Sequence, residues 1–241
     1  TDWVLLGKMD RFGRMQRYHW AEVLGQSRIT GINDGVGRHY QLHYQQILAA
    51  QDAQHYRSKG AEIGGNFFWQ ADSGVRLTRV DLTRDPTAPM QTAATAQPLT
   101  LVSYSYSSVG DLVEVQNRHG ETTRRVAWRN HLMVFHQDRS GPEHHYSYDR
   151  YEPGGKATEQ RNQAGLDYRF DYQSLPEAEG QPRRACVVTD SPGRVETYTF
   201  QGEAGLERLV QHIRADGSTI KNRYNQYGHL TGVTDPLGRS V

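Results

Sequence analysis

The sequence predicts an all-β protein built from antiparallel hairpin repeats, forming part of a long sheet. Three observations carry this. Gly13, Gly25 and Gly37 are twelve residues apart, and Gly193, Gly205, Gly217, Gly228 and Gly238 follow one another at 12, 12, 11 and 10. Turn signals about every 8–12 residues mean short strands joined by tight connections, and repetition at a fixed period marks a repeat architecture. Side chains two residues apart, many of them aromatic, follow several of these glycines, as one face of a strand requires. Only 46 of the 241 residues are Leu, Ile, Val or Phe, whereas 24 are Gly and 14 are Tyr. That composition is too poor in aliphatic residues for a thick core and too rich in Gly for a helical bundle.

The turns come first, because they set the strand boundaries. Asp or Asn precedes Gly by three at Asp10/Gly13, Asp34/Gly37, Asn117/Gly120, Asn162/Gly165, Asp190/Gly193 and Asp235/Gly238. A type I turn favours Asp or Asn at its first position, Pro at its second and Gly at its fourth. Asp235-Pro236-Leu237-Gly238 meets all three preferences. Asp190-Ser191-Pro192-Gly193 carries Pro at the third position, which opposes a type I turn, so a different turn is expected there.

The strands follow. Five and seven residues after a Gly come Tyr18/Trp20, Leu42/Tyr44, Phe170/Tyr172 and Tyr198/Phe200. After Gly120 the phase slips, and Val126 and Trp128 take the apolar face. Alternation continues in Val102-Tyr104-Tyr106, Val113-Val115, Val126 through Val134, and Tyr146-Tyr148. Arg outnumbers Lys by 24 to 4 among equally numerous acids, which predicts cross-strand ion pairs and stacking on Tyr.

Irregular insertions are expected at about 45–66, 83–100, 152–156 and 175–183, where Pro, Ala, Gln or Glu replace the repeat pattern. Residues 45–59 hold few turn formers and could form a short helix. The same turn pattern resumes on both sides of each insertion, so residues 1–241 read as a single domain. The chain begins at Thr1 without Met, as a fragment or a processed piece would.

Several classes are excluded. The formal net charge of +1, with 10% aromatic residues, argues against simple disorder and gives no support to a nucleic-acid-binding face. No apolar run approaches the roughly 18 residues of a membrane span, and Val4-Leu5-Leu6 is too short for a signal-peptide core. Cys186 is the lone cysteine, which excludes an internal disulfide framework and a Cys-based zinc site. In its apolar run it reads as a structural thiol.

No catalytic, cofactor-binding or metal-binding residue is assigned. His39 and His43, His131 and His136, and His144 and His145 are close in sequence. On one strand, however, residues four apart stand about 13 Å from each other, too far for one ion. These histidines are read as solvated or hydrogen-bonded. Ser73 sits in turn chemistry, and no Gly-x-Ser-x-Gly elbow or phosphate-cradling loop is present.

The segment from Tyr224 to Arg239 resembles the YD repeat of Rhs proteins, which runs Tyr-Asp-x-x-Gly-x-Leu-x-x-Val-Thr-Asp-Pro-x-Gly-Arg. Asn225 stands where Asp is usual. Degenerate copies are Tyr104, Tyr106, Gly110, Leu112, Val115, Asn117 and Gly120, and Thr189-Asp190-Ser191-Pro192-Gly193-Arg194. Asp10 to Arg14 and Asp34 to Arg38 are shorter matches. The resemblance implies a β-sheet spiralling into a hollow cocoon that encloses a carboxy-terminal toxin, with any enzymatic activity in that toxin domain. It further implies secretion after cytoplasmic synthesis, by a type VI system, with a spike protein and a chaperone as partners alongside other segments of the shell. Such shells often end in a self-cleaving segment with two Asp-Pro-x-Gly units. Only the unit at Asp235 is present here, and Asp235 is read as a turn residue. The competing reading is an extracellular YD-repeat module that binds carbohydrate or a protein partner through exposed tyrosines.

Overall fold

The computed structural model describes residues 4–48, 73–87, 97–152, 154–203 and 206–241. The chain is all-β: seventeen strands are present and no helix occurs among the described residues. The strands divide between two compact units.

The first unit runs up to His131 and includes His136–Gly141. Its strands are β1 (Gly7–Met9), β2 (Met15–Val23), β3 (Gln26–Asn33), β4 (His39–Gln46), β5 (Val75–Arg84), β6 (Leu99–Tyr106), β7 (Leu112–Asn117) and β8 (Thr122–Arg129). Each pairs antiparallel with the next, from β1–β2 through β7–β8. β9 (Leu132–Asp138) contributes its last residues to this unit and Leu132–Phe135 to the other.

The second unit continues from Pro142 with β10 (His144–Tyr148), β11 (Ala157–Asn162), β12 (Tyr168–Ala178), β13 (Gln181–Asp190), β14 (Val195–Gln201), β15 (Arg208–Ile213), β16 (Thr219–Tyr224) and β17 (Leu230–Thr234). Here too each strand from β10 to β17 pairs antiparallel with its successor. Tyr172, Cys186, Tyr198, His212 and Ile220 stand opposite one another as a single row across five strands.

Burial is shallow. The buried apolar side chains among the described residues are Leu48, Val75, Val126 and Ala185, and no large side chain is fully buried. In β2, half-buried Gln16, Tyr18 and Trp20 alternate with exposed Arg17 and His19. Val126 is buried and Trp128 half-buried between exposed Arg125, Ala127 and Arg129, so the phase slip after Gly120 is present as expected. Each strand therefore gains little from aliphatic burial, and cross-strand pairs and hydrogen bonds carry more of the cohesion.

Two expectations need correction. Residues 175–183 are not an irregular insertion: β12 and β13 run through them, with Leu175 opposite Arg183 and Ala178 opposite Gln181. Pro176 falls in the bulge between Leu175 and Ala178, where no ladder N–H is required of it. Glu179 and Gly180 close the hairpin with φ of 54° and 69°, the paired positive dihedrals of a type I′ turn. Leu24 and Gly25 do the same between β2 and β3, with φ of 51° and 79°. The second correction concerns 45–59, where Gln45 and Gln46 belong to β4 rather than to a helix; residues 49–59 lie outside the described ones. At 83–100 the flanks are strand, Thr83 and Arg84 in β5 and Leu99 and Thr100 in β6. In the stretch expected at 152–156, the Gly155 N–H donates to the Glu152 carbonyl at 2.8 Å, and residue 153 lies outside the described ones.

Candidate functional site

The turn residues are the smallest repeated unit. The N–H of Gly13, Gly37, Gly120, Gly165, Gly193 and Gly238 donates to the carbonyl of Asp10, Asp34, Asn117, Asn162, Asp190 and Asp235, at 2.9–3.2 Å. All six glycines have φ between 74° and 88°, the left-handed region that closes a type I turn into a bulged hairpin. One side-chain oxygen of Asp10, Asp34, Asn117 and Asp235 accepts the N–H groups two and four residues on. Asn225 does likewise, so Asn serves the turn as well as Asp does.

Four of these turns have Arg after Gly, and in three of them the second carboxylate oxygen holds its guanidinium, while Arg14 Nε stands 4.0 Å from Asp10. Arg38 Nε donates to Asp34 at 2.7 Å, Arg194 Nε to Asp190 at 2.7 Å and Arg239 Nε to Asp235 at 2.6 Å. Desolvation pushes the Asp34 carboxyl up, but hydrogen bonds from Arg38, Val36 and Tyr40 outweigh it and hold the group at about 2. Asp235 is lowered chiefly by the Arg239 side chain.

The turn at Asp190 differs less than expected. It has the same Gly193-to-Asp190 bond, and Arg194 N–H reaches Asp190 Oδ1 at 2.8 Å. Pro192 lacks an N–H, so only the bond two residues on is lost. The Asp–Arg clamp supports the turn that Pro disfavours.

A second series links neighbouring strands at bulges. Among the bulges where an aromatic residue stands opposite the first bulge residue of the next strand, four share a further feature: Trp20 opposite Ile29, Tyr44 opposite Leu77, Tyr106 opposite Leu112 and Phe200 opposite Leu209. The carbonyl of that bulge residue then accepts from an aromatic side chain one strand further on. Tyr44 Oη donates to Ile29 at 2.7 Å, Tyr106 Oη to Leu77 at 2.8 Å, Trp128 Nε1 to Leu112 at 2.6 Å and Tyr224 Oη to Leu209 at 3.1 Å. Bulges disrupt the ladder and leave polar groups unpaired, and a half-buried phenol or indole supplies the missing donor while adding its ring to the face. Trp20 Nε1 also donates to the Leu5 carbonyl and Tyr148 Oη to the Met133 carbonyl, at 3.0 and 2.8 Å. Tyr172 departs from the series: it stands fifteen residues past Ala157 at the Tyr148 bulge, but its hydroxyl engages the Cys186 thiol.

Histidine–carboxylate pairs form the third arrangement. Asp81 is 4% exposed and is held by His43 Nε2 at 2.8 Å, Arg79 Nε at 3.1 Å and Thr100 Oγ1 at 2.9 Å. His131 Nδ1 lies 2.6 Å from Asp111. Glu196 contacts Tyr198 Oη at 2.7 Å and His212 Nε2 at 2.8 Å, and the Tyr198 and His212 rings stack at 4.3 Å. The Tyr198 hydrogen bond, then that of His212, lowers Glu196, while Glu196 and desolvation push Tyr198 up to about 12. These groups were missed in the sequence because the partners are 16 to 38 residues apart and meet only once register is set.

Chemically, these groups hold strands together. His39 pairs across the ladder with Asn33 and Arg84, His144 shares a hydrogen bond with Gln160 at 3.1 Å, and His145 contacts Glu143 at 3.3 Å. Among the described residues, no group of three or more His, Cys, Asp or Glu side chains is arranged to hold a metal ion. Burial pushes the Cys186 thiol up, away from the reactive thiolate. Ser73 Oγ accepts from the Val75 N–H and from Arg28. No helix of the described residues is long and apolar enough to cross a membrane.

No family model matches the chain. The toxin protein Tse5 of Pseudomonas aeruginosa is 34% identical over 241 residues, which is 99% of this chain and 16% of Tse5. The chain is similar to a stretch of a bacterial toxin. It spans about a sixth of the length of Tse5, and the match leaves almost no residue of this chain outside it. Crystal structures of TcdB2-TccC3-Cdc42 and of TcdB2-TccC3 superpose with a TM-score of 0.40 each, at 10% and 11% identity, over 92% of this chain and 12% of those chains.

Proposed function

We propose that this chain is a shell segment of an Rhs-type toxin, a wall of YD repeats that encloses a carboxy-terminal toxin domain until delivery. The observation that carries this reading is the 34% identity to Tse5 across 99% of the chain. The physics of the sheet supports it. A wall built as one layer must hold together without a thick core, and here the described apolar burial is confined to a few small or medium side chains. Asx–Gly turns, Asp–Arg clamps and aromatic-to-carbonyl bonds supply local cohesion at many of the described hairpins instead. In this role the chain is non-enzymatic, and chemistry belongs to the enclosed domain. Its partners are other segments of the same shell and its cargo, with a spike protein and a chaperone serving delivery by type VI secretion after cytoplasmic synthesis.

Electron microscopy of the full-length protein tests the proposal. A hollow particle with density inside is expected, and a compact solid particle or an open rod overturns it. Loss of secretion on deleting the spike protein tests the delivery route separately.

A further inference from the structure

Register leaves one face of the second unit unevenly charged. Residues opposite each other in a ladder share a face, and alternate residues along a strand return to it. Arg183 stands opposite Gln201, and Gln201 opposite Arg208. Thr199 stands opposite Gln211 and Gln211 opposite Lys221, with Arg223 two residues further along β16. Val210 is the extra residue of the β15 bulge, which keeps Arg208 and Gln211 on the same side. Across β13 to β17 this face therefore carries Arg183, Arg208, Lys221 and Arg223, and its other strand residues are Thr, Val, Ala, Gln, Ile and Gly. No Asp or Glu of these strands stands on it, in a chain whose 28 Lys and Arg are balanced by 27 Asp and Glu.

These cations are held in place without being neutralised. Arg38, Arg194 and Arg239 each face a carboxylate, whereas none of the four forms an ion pair among the described residues. Arg208 Nη1 donates to the Leu206 and Glu207 carbonyls at 3.0 and 3.3 Å, and its Nε to the Gly228 carbonyl at 3.4 Å. Carbonyls fix the guanidinium but leave its charge. Arg183 Nε is buried with no hydrogen-bond partner. The Arg223 guanidinium lies over Gly232, where an added Cβ would stand 3.0 Å from it. Glu179 and Glu203 line the adjoining cavity with Arg208 and Arg223, but they sit on hairpin connections beyond the strand ends and pair with neither.

We propose that this face docks an acidic segment of a partner polypeptide, an extended run of about five residues. β13 and β16 are three strands apart, roughly 14 Å, a distance that about four to five extended residues span. Carboxylates meet the guanidinium forks and Lys221, and Gln201 and Gln211 carry amides that match the peptide groups between them. The face presents no aromatic ring on which bases could stack. Val195 is its one exposed apolar side chain, too little to enter a bilayer. The proposal depends on register within these strands, so failure of the shell reading leaves it intact.

Binding of fluorescein-labelled hexaglutamate to the full-length protein, followed by anisotropy at low salt, tests the proposal. Binding that weakens with added salt is expected, and hexaglutamine is expected not to bind. Combining Lys221→Gln with Arg223→Gln, both at exposed positions, is expected to weaken hexaglutamate binding about tenfold through the loss of two charge contacts. Arg214→Gln, in the turn between β15 and β16, serves as the control and leaves it unchanged. Absence of binding, or equal affinity in the double variant and the parent, overturns the proposal. Tighter binding of oligothymidylate or of phosphatidylserine vesicles through the same two residues overturns the choice of a polypeptide.

Discussion

The Tyr224 hydroxyl donates to the Leu209 carbonyl at 3.1 Å, and the Asn222 side chain donates to the same oxygen at 2.9 Å. Leu209 opens the bulge opposite Phe200, so one carbonyl ties β16 to an irregularity between β14 and β15. At Ile29 and Leu112 the equivalent donor is one aromatic group, Tyr44 or Trp128.

That difference predicts unequal costs for the same chemical change. Tyr44→Phe should destabilise its unit by about 1 kcal/mol, the net value of one buried hydrogen bond. Tyr224→Phe should cost less, because Asn222 still satisfies Leu209. Local hydrogen exchange of β3 and β15 in the full-length protein measures both, and equal effects would contradict the shared-acceptor geometry.

The Asp34 turn should be acid-sensitive. Its carboxyl sits at about 2, below the ordinary 3.8, so its stabilisation is complete above the ordinary value and is lost as pH falls from about 4 through 2. Asp34→Asn should keep the bonds to the Val36 and Arg38 N–H groups but lose the Arg38 clamp. Amide exchange in the turn between pH 5 and 2 should then vary for the parent protein in excess of any variation in the Asn variant. A flat parent profile would refute the assignment.

Gly120 and Gly110 separate backbone strain from crowding. Both have positive φ, 74° and 83°, but an added Cβ at Gly120 meets nothing within 4 Å, whereas at Gly110 it runs into Leu48 and Arg76. Gly120→Ala should cost about 1–2 kcal/mol from the left-handed conformation alone. Gly110→Ala should cost more, and denaturant midpoints rank the two.

Tyr198 should ionise late. Its hydroxyl donates to Glu196 and is pushed up to about 12. A raised tyrosine contributes stability that is complete below pH 10 and lost as pH rises through 12. Removing the charge with Glu196→Gln should return Tyr198 toward 10, read as tyrosinate absorbance in a Tyr198→Phe difference titration. An unchanged late transition would exclude Glu196 as the cause.

Much of the fold is legible in the residues because its signals are local. An Asx side chain reaches N–H groups two and four residues away, and only Gly follows without strain at the fourth position, so Asp34/Gly37 or Asp235/Gly238 marks a turn without reference to the rest of the chain. Alternation in Gln16-Tyr18-Trp20 marks a half-buried strand for the same reason. The segment 175–183 misled because Pro and Glu resemble loop composition, and only the bulge that accommodates Pro176 shows why pairing continues through it.

The sequence by itself determined that this chain is all-β, where most hairpins turn, and which residues face together along a strand. Tertiary structure alone decided the contacts across strands: which carbonyl each Tyr or Trp reaches, that His43, Arg79 and Thr100 converge on Asp81, and that His212 stacks on Tyr198. Turn chemistry depends on atoms within four residues, whereas these contacts depend on register. A single bulge shifts register by one residue and reassigns every partner beyond it.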